Sequence, residues 1–176
     1  MTPLVTLSDL SAYKYIQDSV KTSANWPLSV SEAQQLDVKI WLGDSLLNEL
    51  VTQFTTSPES LSDLNKTLLN GGTYTYQDRT YLFQGLRAVI IYYAWSRFIS
   101  RAPFNFTQVG ITIKDSDLST PATTKDIQRL STEAMLTASA LRDEVVLYLR
   151  RNSSSYPLYN CSSKPIRPRT FYVLGD

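Results

Sequence analysis

The sequence contains no histidine and one cysteine, Cys161. Without histidine the chain lacks the commonest general base and metal ligand, and no Ser-His or Cys-His nucleophile pair can form. A single cysteine forms no disulfide within one chain and, without histidine, leaves no ligand set for structural zinc, so a reducing compartment is expected. Cys161 lies near Lys164 with no partner base, and is read as incidental. Glycine-rich phosphate loops are missing too: Gly71-Gly72 lacks the following Lys-Ser/Thr and the spacing of a dinucleotide fingerprint. Asp115 and Asp117 do not continue into a calcium-loop register and read as a turn. These absences imply no enzyme and no cofactor. Net charge is +1, so no global field draws in nucleic acid or an acidic membrane. The opening MTPLVTLSDL has neither the basic nor the apolar region of a secretory signal.

What is present is a core. The most apolar stretch, residues 81–101, reads YLFQGLRAVIIYYAWSRFISR. Leu82, Leu86, Val89 and Tyr93, with Ile90 and Ala94 beside them, recur at helical spacing. Ala88, Ile91, Tyr92, Trp95, Phe98 and Ile99 make the other side apolar as well. Such a helix is either the centre of a small bundle or has a second face that meets another subunit. Arg87, Arg97 and Arg101 leave an uninterrupted apolar run far short of the roughly 20 residues of a membrane span.

The remaining segments fall around it. Ser8 is expected to cap a first short helix with Leu10, Tyr13, Ile16 or Gln17, and Val20 inward. Residues 21–27 read as a loop, with Pro27 holding Trp26 extended. Ser29 and Glu32 have the spacing of a capping box. A long helix follows, with Ala33, Leu36, Ile40, Gly43, Leu47, Leu50 and Phe54 on its inner stripe. Gly43 on that stripe implies a kink or the close approach of another helix, ahead of a ligand contact. Residues 55–60 break the pattern, and residues 59–69 form a short helix carrying Leu61, Leu64 and Leu68 that Asn70-Gly71-Gly72 ends. The Thr- and Tyr-rich residues 73–76 and 79–83, around Gln77-Asp78, predict a β-hairpin, the alternative being an extended lead with one irregular turn. The tyrosines here read as cross-strand packing in preference to a base-stacking platform. Residues 104–124 are expected to be an overlong connector with a strand over 109–113. Thr123, with Asp126, caps a last helix whose stripe is Ile127, Leu130, Ala134, Ala138, Leu141, Val145 and Tyr148. The two alanines allow it to lie close to the central helix. Residues 1–160 are thus expected to be one mainly α domain, a small helical bundle with a β-hairpin and an extended connector. Residues 161–176 are expected to be an extended C-terminal arm, aromatic and basic: either a mobile tail or one laid across its own domain, or an arm that docks on a neighbour, for example by adding a strand to its sheet.

Several of these segments, taken in order, resemble a known family. They are WLGDSLLNEL, LLNGGTYTY, FQGLRAVIIYYAWSRFI, the Thr107, Gly110, Ile111 connector with KDSDLSTP, and YLRRNSSSYPLY. Over roughly residues 30–160 the chain resembles the small neck proteins of tailed bacteriophages of Bacteroidetes hosts, crAss-like phages included. The resemblance implies a head-to-tail connector, or adaptor: a virion protein made in the host bacterial cytoplasm. Such a subunit builds a ring, of twelve copies by resemblance, between portal and tail. Its partners would be the portal and other neck and tail proteins, with packaged DNA crossing the lumen without sequence-specific binding and no membrane involved. Contacts are expected in the connector at Phe104, Phe106, Ile111 and Lys114, and in the arm at Pro165, Ile166, Arg167, Arg169, Phe171 and Tyr172. The alternatives are a lower-neck or tail-completion ring and, in a different class, a small helical nucleic-acid-binding regulator using Arg142, Arg150 and Arg151.

Overall fold

The computed structural model describes residues 2–13, 25–57, 60–101, 104–107, 110–113 and 123–159, with only the backbone given at 7, 104–107 and 110–113. In chain order the helices are α1 (Leu7–Tyr13), α2 (Asn25–Glu32), a π-helical turn (Ala33–Val38), α3 (Lys39–Leu42), α4 (Asp44–Thr56) and α5 (Asp63–Asn70). A hairpin of β1 (Gly72–Tyr76) and β2 (Arg79–Phe83) leads into α6 (Gly85–Arg101). A second hairpin, β3 (Phe104–Thr107) and β4 (Gly110–Ile113), precedes the longest helix, α7 (Thr124–Arg151), and a 3-10 turn (Ser153–Ser155). The architecture is mainly α, as the periodicities require.

Helix α6 is the centre. Leu86, Ala88, Val89, Ile90, Ile91 and Ala94 are all fully buried, because α7, α2, α5 and the π turn pack around it. It is shorter than residues 81–101: Tyr81, Leu82 and Phe83 belong to β2, where Gly72 pairs with Phe83 and Thr73 with Leu82. Strand alternation turns Phe83 inward and leaves Leu82 73 % exposed, so Leu82 is not part of the helical stripe. Gln77 and Asp78 form the turn at φ of 49° and 59°, the left-handed pair that a two-residue hairpin loop requires.

The segment before Gly43 departs most from its reading. Trp26 and Pro27 are helical, since proline is tolerated in a first turn whose N–H groups have no helical acceptor anyway. Ser29 is buried and donates its hydroxyl to the Asn25 carbonyl oxygen at 2.9 Å, so it caps nothing, and Glu32 turns to Arg101. The buried row is Trp26, Val30, Gln34, Val38 and Leu42, a strict step of four. In an α-helix that row drifts about 40° per step. The wider π turn offsets the drift and keeps the row inside. Leu36 and Ile40, expected on the inner stripe, are consequently 51 % and 72 % exposed. Gln34 is buried because its side-chain oxygen accepts from the Leu4 amide at 2.8 Å and its amide donates to the Thr2 carbonyl at 3.2 Å, which seats Leu4 and Val5 in the core. The long helix also breaks at Gly43, whose φ of 88° and ψ of 155° suit only glycine. Space around it is open, so no neighbouring helix demands the glycine.

Smaller departures have similar causes. Thr6, not Ser8, caps α1: its hydroxyl accepts from the Asp9 amide at 3.4 Å while the Asp9 carboxylate accepts from the Thr6 amide at 2.7 Å. Ser62 caps α5 by accepting from the Asn65 amide, which places Leu61 outside the helix but in the core and leaves Leu64 half exposed. Thr123 caps α7 as expected, and Ala134 and Ala138 are buried where α7 runs along α6, although Leu130 faces outward. The connector strand pairs back on Phe104–Thr107, so that part of the connector is a hairpin. Ile16, Gln17, Val20, residues 114–117 and the whole arm lie outside the described residues.

Candidate functional site

Two adjacent residues near the end of α6 define its flanks. The Ser96 hydroxyl donates to the Ser131 carbonyl at 2.9 Å, and Tyr93 and Ser100 on the same row also meet serines of α7. Arg97, about 100° further round the helix, grips Asp37 of the π turn with two hydrogen bonds of 2.7 and 2.9 Å. Arg101 binds Glu32 at 2.6 Å, and Glu32 also lies 3.5 Å from Arg97. The paired hydrogen bond to Asp37, more than the nearby charge, holds the Arg97 guanidinium even more firmly protonated than usual. Thus α7 covers one flank of α6 while α2 and the π turn cover another.

Each covering layer carries exposed large apolar residues on its outer side. Leu28, Leu36 and Ile40 lie eight and four residues apart, with Glu32 at the position between the first two, offset by two residues from the buried row and therefore on the other side of the helix. On α7, Leu136 (66 % exposed) and Leu147 (42 % exposed) share a row with exposed Ala140 and Asp143. Exposed leucines and isoleucines aligned in this way mark contact surfaces more than scattered ones do. The sequence misplaced the first row because it assigned Leu36 and Ile40 to the core.

The connector residues are partly brought together. Phe104 pairs with Ile113 and Phe106 with Ile111, so these four positions share one face of the second hairpin, while Asn105, Thr107, Gly110 and Thr112 share the other. Lys114 and the arm residues Pro165, Ile166, Arg167, Arg169, Phe171 and Tyr172 lie outside the described residues.

Two further arrangements were not read from the sequence. The Arg151 guanidinium sits 3.9 Å from the Tyr81 ring centroid and 4.9 Å from that of Tyr76, and it donates to the Tyr74 hydroxyl at 3.0 Å. These rings lie on one face of the first hairpin and clasp the end of α7 by cation–π contact. The hairpin tyrosines thus pack across strands, as expected, with Tyr74 and Tyr81 stacked at 5.5 Å. A groove of about 250 Å³ lies between α4, α5 and the turn after α7, walled by Leu46, Glu49, Leu64, Asn65, Pro157 and Leu158. Buried Asn65 donates to Glu49 at 2.9 Å and to Gln53 at 3.0 Å, and Gln53 donates to Glu49 at 3.0 Å, which fixes the Glu49 carboxylate in the wall. Tyr156 closes one end: its hydroxyl donates to the Leu64 carbonyl at 2.7 Å and lies 3.0 Å from the Tyr148 hydroxyl. Burial, then the contact with Tyr148, raises the Tyr156 pKa well above its ordinary value.

Among the described residues no cluster of acidic or thiol ligands could hold a metal, and no helix is long and apolar enough to cross a membrane. No curated protein and no solved structure matches the chain. Residues 38–169, well over half of the chain, match a family described as one of unknown function, DUF6712. The match begins in the π turn, takes in α6, both hairpins and α7, and runs beyond Tyr159. The chain belongs to the DUF6712 family.

Proposed function

We propose that this protein is a structural virion component, a head-to-tail connector subunit. It forms an oligomeric ring between portal and tail and continues the DNA channel. The observation that carries the reading is the pair of exposed apolar rows, Leu36/Ile40 and Leu136/Leu147, on layers that cover different flanks of α6. A ring built from identical subunits joins one surface of each copy to a different surface of the next. Two distinct apolar rows supply that pair of surfaces. The resemblance in sequence to phage neck proteins supports the same reading. The second hairpin adds a further face, Phe104, Phe106, Ile111 and Ile113, for the portal or a neighbouring neck protein, together with Lys114 and the arm residues 165–172.

A nucleic-acid-binding regulator finds less support. Of its three arginines, Arg142 is bound to Asp143 at 2.7 Å and Arg151 is held by tyrosines, which leaves the exposed Arg150 as a weak basis for a basic face.

The test is the mass of the purified protein in solution, alone and mixed with the cognate portal. A ring-sized species, or a monomer recruited onto portal, is the expected result. A monomer indifferent to portal would overturn portal docking and favour a ring lower in the neck. Tight, strongly salt-dependent DNA binding by that monomer would favour the regulator.

A further inference from the structure

We propose that the groove between α4, α5 and the turn after α7 is the docking site for this chain's own residues 160–169, with one basic side chain of that segment seated on Glu49. At about 250 Å³ the groove is smaller than the roughly 300–1,000 Å³ of small-molecule sites, and suits one or two side chains. Its wall is mixed: half-exposed Leu64 and Leu158 and Pro157 form an apolar rim, and Glu49 supplies a carboxylate held in place by Asn65 and Gln53. The fitting occupant therefore has an apolar residue beside a cation.

Residues 160–169, NCSSKPIRPR, have that chemistry. They contain Lys164, Arg167 and Arg169, no acidic residue, and Ile166 between two prolines. The described chain ends at Tyr159, one residue beyond Leu158 in the groove's rim. Five further extended residues reach at most about 17 Å, enough to carry Lys164 along the groove. Attachment one residue from the rim gives the segment an effective concentration of order millimolar, which favours the chain's own copy over another's. Prolines at 165 and 168 restrict the free segment and lower the cost of ordering it. The family match ends at residue 169, so it includes this segment and leaves out residues 170–176. The inference takes residues 160–169 out of the intermolecular contacts proposed above and leaves Phe171 and Tyr172, beyond the segment, for a neighbouring subunit.

Disulfide trapping in the full-length chain tests it. In a Cys161→Ser background, Thr170→Cys is combined either with Ser155→Cys, at the groove, or with Thr73→Cys, on the outer face of the first hairpin. Intramolecular disulfide formation is followed by non-reducing gel and intact mass. The groove pair is expected to close about tenfold faster, through the raised effective concentration. Because Ser155 is also nearer in sequence, the deciding arms are Glu49→Lys and Ile166→Asp, each of which should slow the groove pair several-fold and leave the hairpin pair unchanged. Should Glu49→Lys disturb folding, Ile166→Asp, which alters only the segment, decides alone. A groove rate unchanged by Ile166→Asp would overturn the proposal. So would covalent dimers as the main product, which would assign the groove to the segment of a second copy.

Discussion

The hydroxyl of Tyr156 donates to the backbone carbonyl of Leu64 at 2.7 Å, across 92 residues of sequence. With its proton committed there, the 3.0 Å contact with Tyr148 has Tyr148 as donor. One phenol thus ties the end of α7 to α5 and satisfies a second buried phenol. Tyr156→Phe removes both bonds and leaves the Tyr148 hydroxyl without that acceptor. The expected loss is about 1–2 kcal/mol, read as a lower urea midpoint with an unchanged slope.

The same residue sets an alkaline limit. Burial keeps the folded phenol neutral above its ordinary pKa of 10.0. Above that pH the unfolded phenol ionises while the folded one does not, so the folded state binds more protons and stability falls as pH rises. Its stabilising contribution is complete below pH 10 and lost progressively above it. The stability difference between wild type and Tyr156→Phe should therefore shrink between about pH 9 and 11, as measured by urea titration at each pH. A constant difference would refute the linkage.

Arg97 and Asp37 are mostly shielded from solvent and joined by two hydrogen bonds. Asp37→Ala should cost about 1–3 kcal/mol, since it removes both hydrogen bonds and leaves the partly buried guanidinium only Glu32, at 3.5 Å. Replacing both partners by leucine should recover part of that loss. If the double variant is no more stable than Asp37→Ala, the cost lies in the side chain's packing and not in the stranded charge.

Gly43 and Gly85 should respond differently to alanine. A Cβ at Gly43 meets open space, so only the backbone conformation resists, at about 1–3 kcal/mol. A Cβ at Gly85 would fall inside the backbone of Gly71, Asn70 and Leu69, which cannot yield without opening the base of the first hairpin. Gly43→Ala is expected to fold with a lower melting temperature, and Gly85→Ala to lose cooperative unfolding by calorimetry.

Assembly can be tested through the two apolar rows. Ile40→Glu and Leu136→Glu should each fold, by circular dichroism, and each remain monomeric where wild type forms a ring. Mixed together, they still have one intact surface each and should form a one-to-one dimer that grows no further. A ring from either variant alone would remove that row from the interface, and a mixture that stays monomeric would show that the two rows do not face each other.

The sequence was most legible where one physical signal dominated. Gln77-Asp78 between Thr- and Tyr-rich runs marked the first hairpin, Thr123 and Asp126 marked the start of α7, and Asn70-Gly71 marked the end of α5. Legibility failed where a distant partner overrode local pattern. Gln34 looked like a surface residue, and only its bonds to Thr2 and Leu4 make it a core residue. Once Gln34 is inside, the inward row passes through Val38 and Leu42, and Leu36 and Ile40 must face out. The groove was illegible for the same reason: Glu49, Asn65 and Leu158 converge only after α7 has packed. Phe104, Phe106 and Ile111 were recognised as apolar residues of the connector, but their shared face with Ile113 depends on a strand register that composition does not reveal.

The position of α7 along α6 has a consequence for synthesis. Residues 63–101 are contiguous and can assemble α5, the first hairpin and α6 from near neighbours as they leave the ribosome. The flank of α6 that carries Tyr93, Ser96 and Ser100 has no cover until α7 has been translated. Tyr156 and Tyr159, also in the core, emerge later still. A nascent chain paused before residue 124 would therefore expose an apolar helix to solvent, and chaperone demand should peak in that interval and end when the last turn closes.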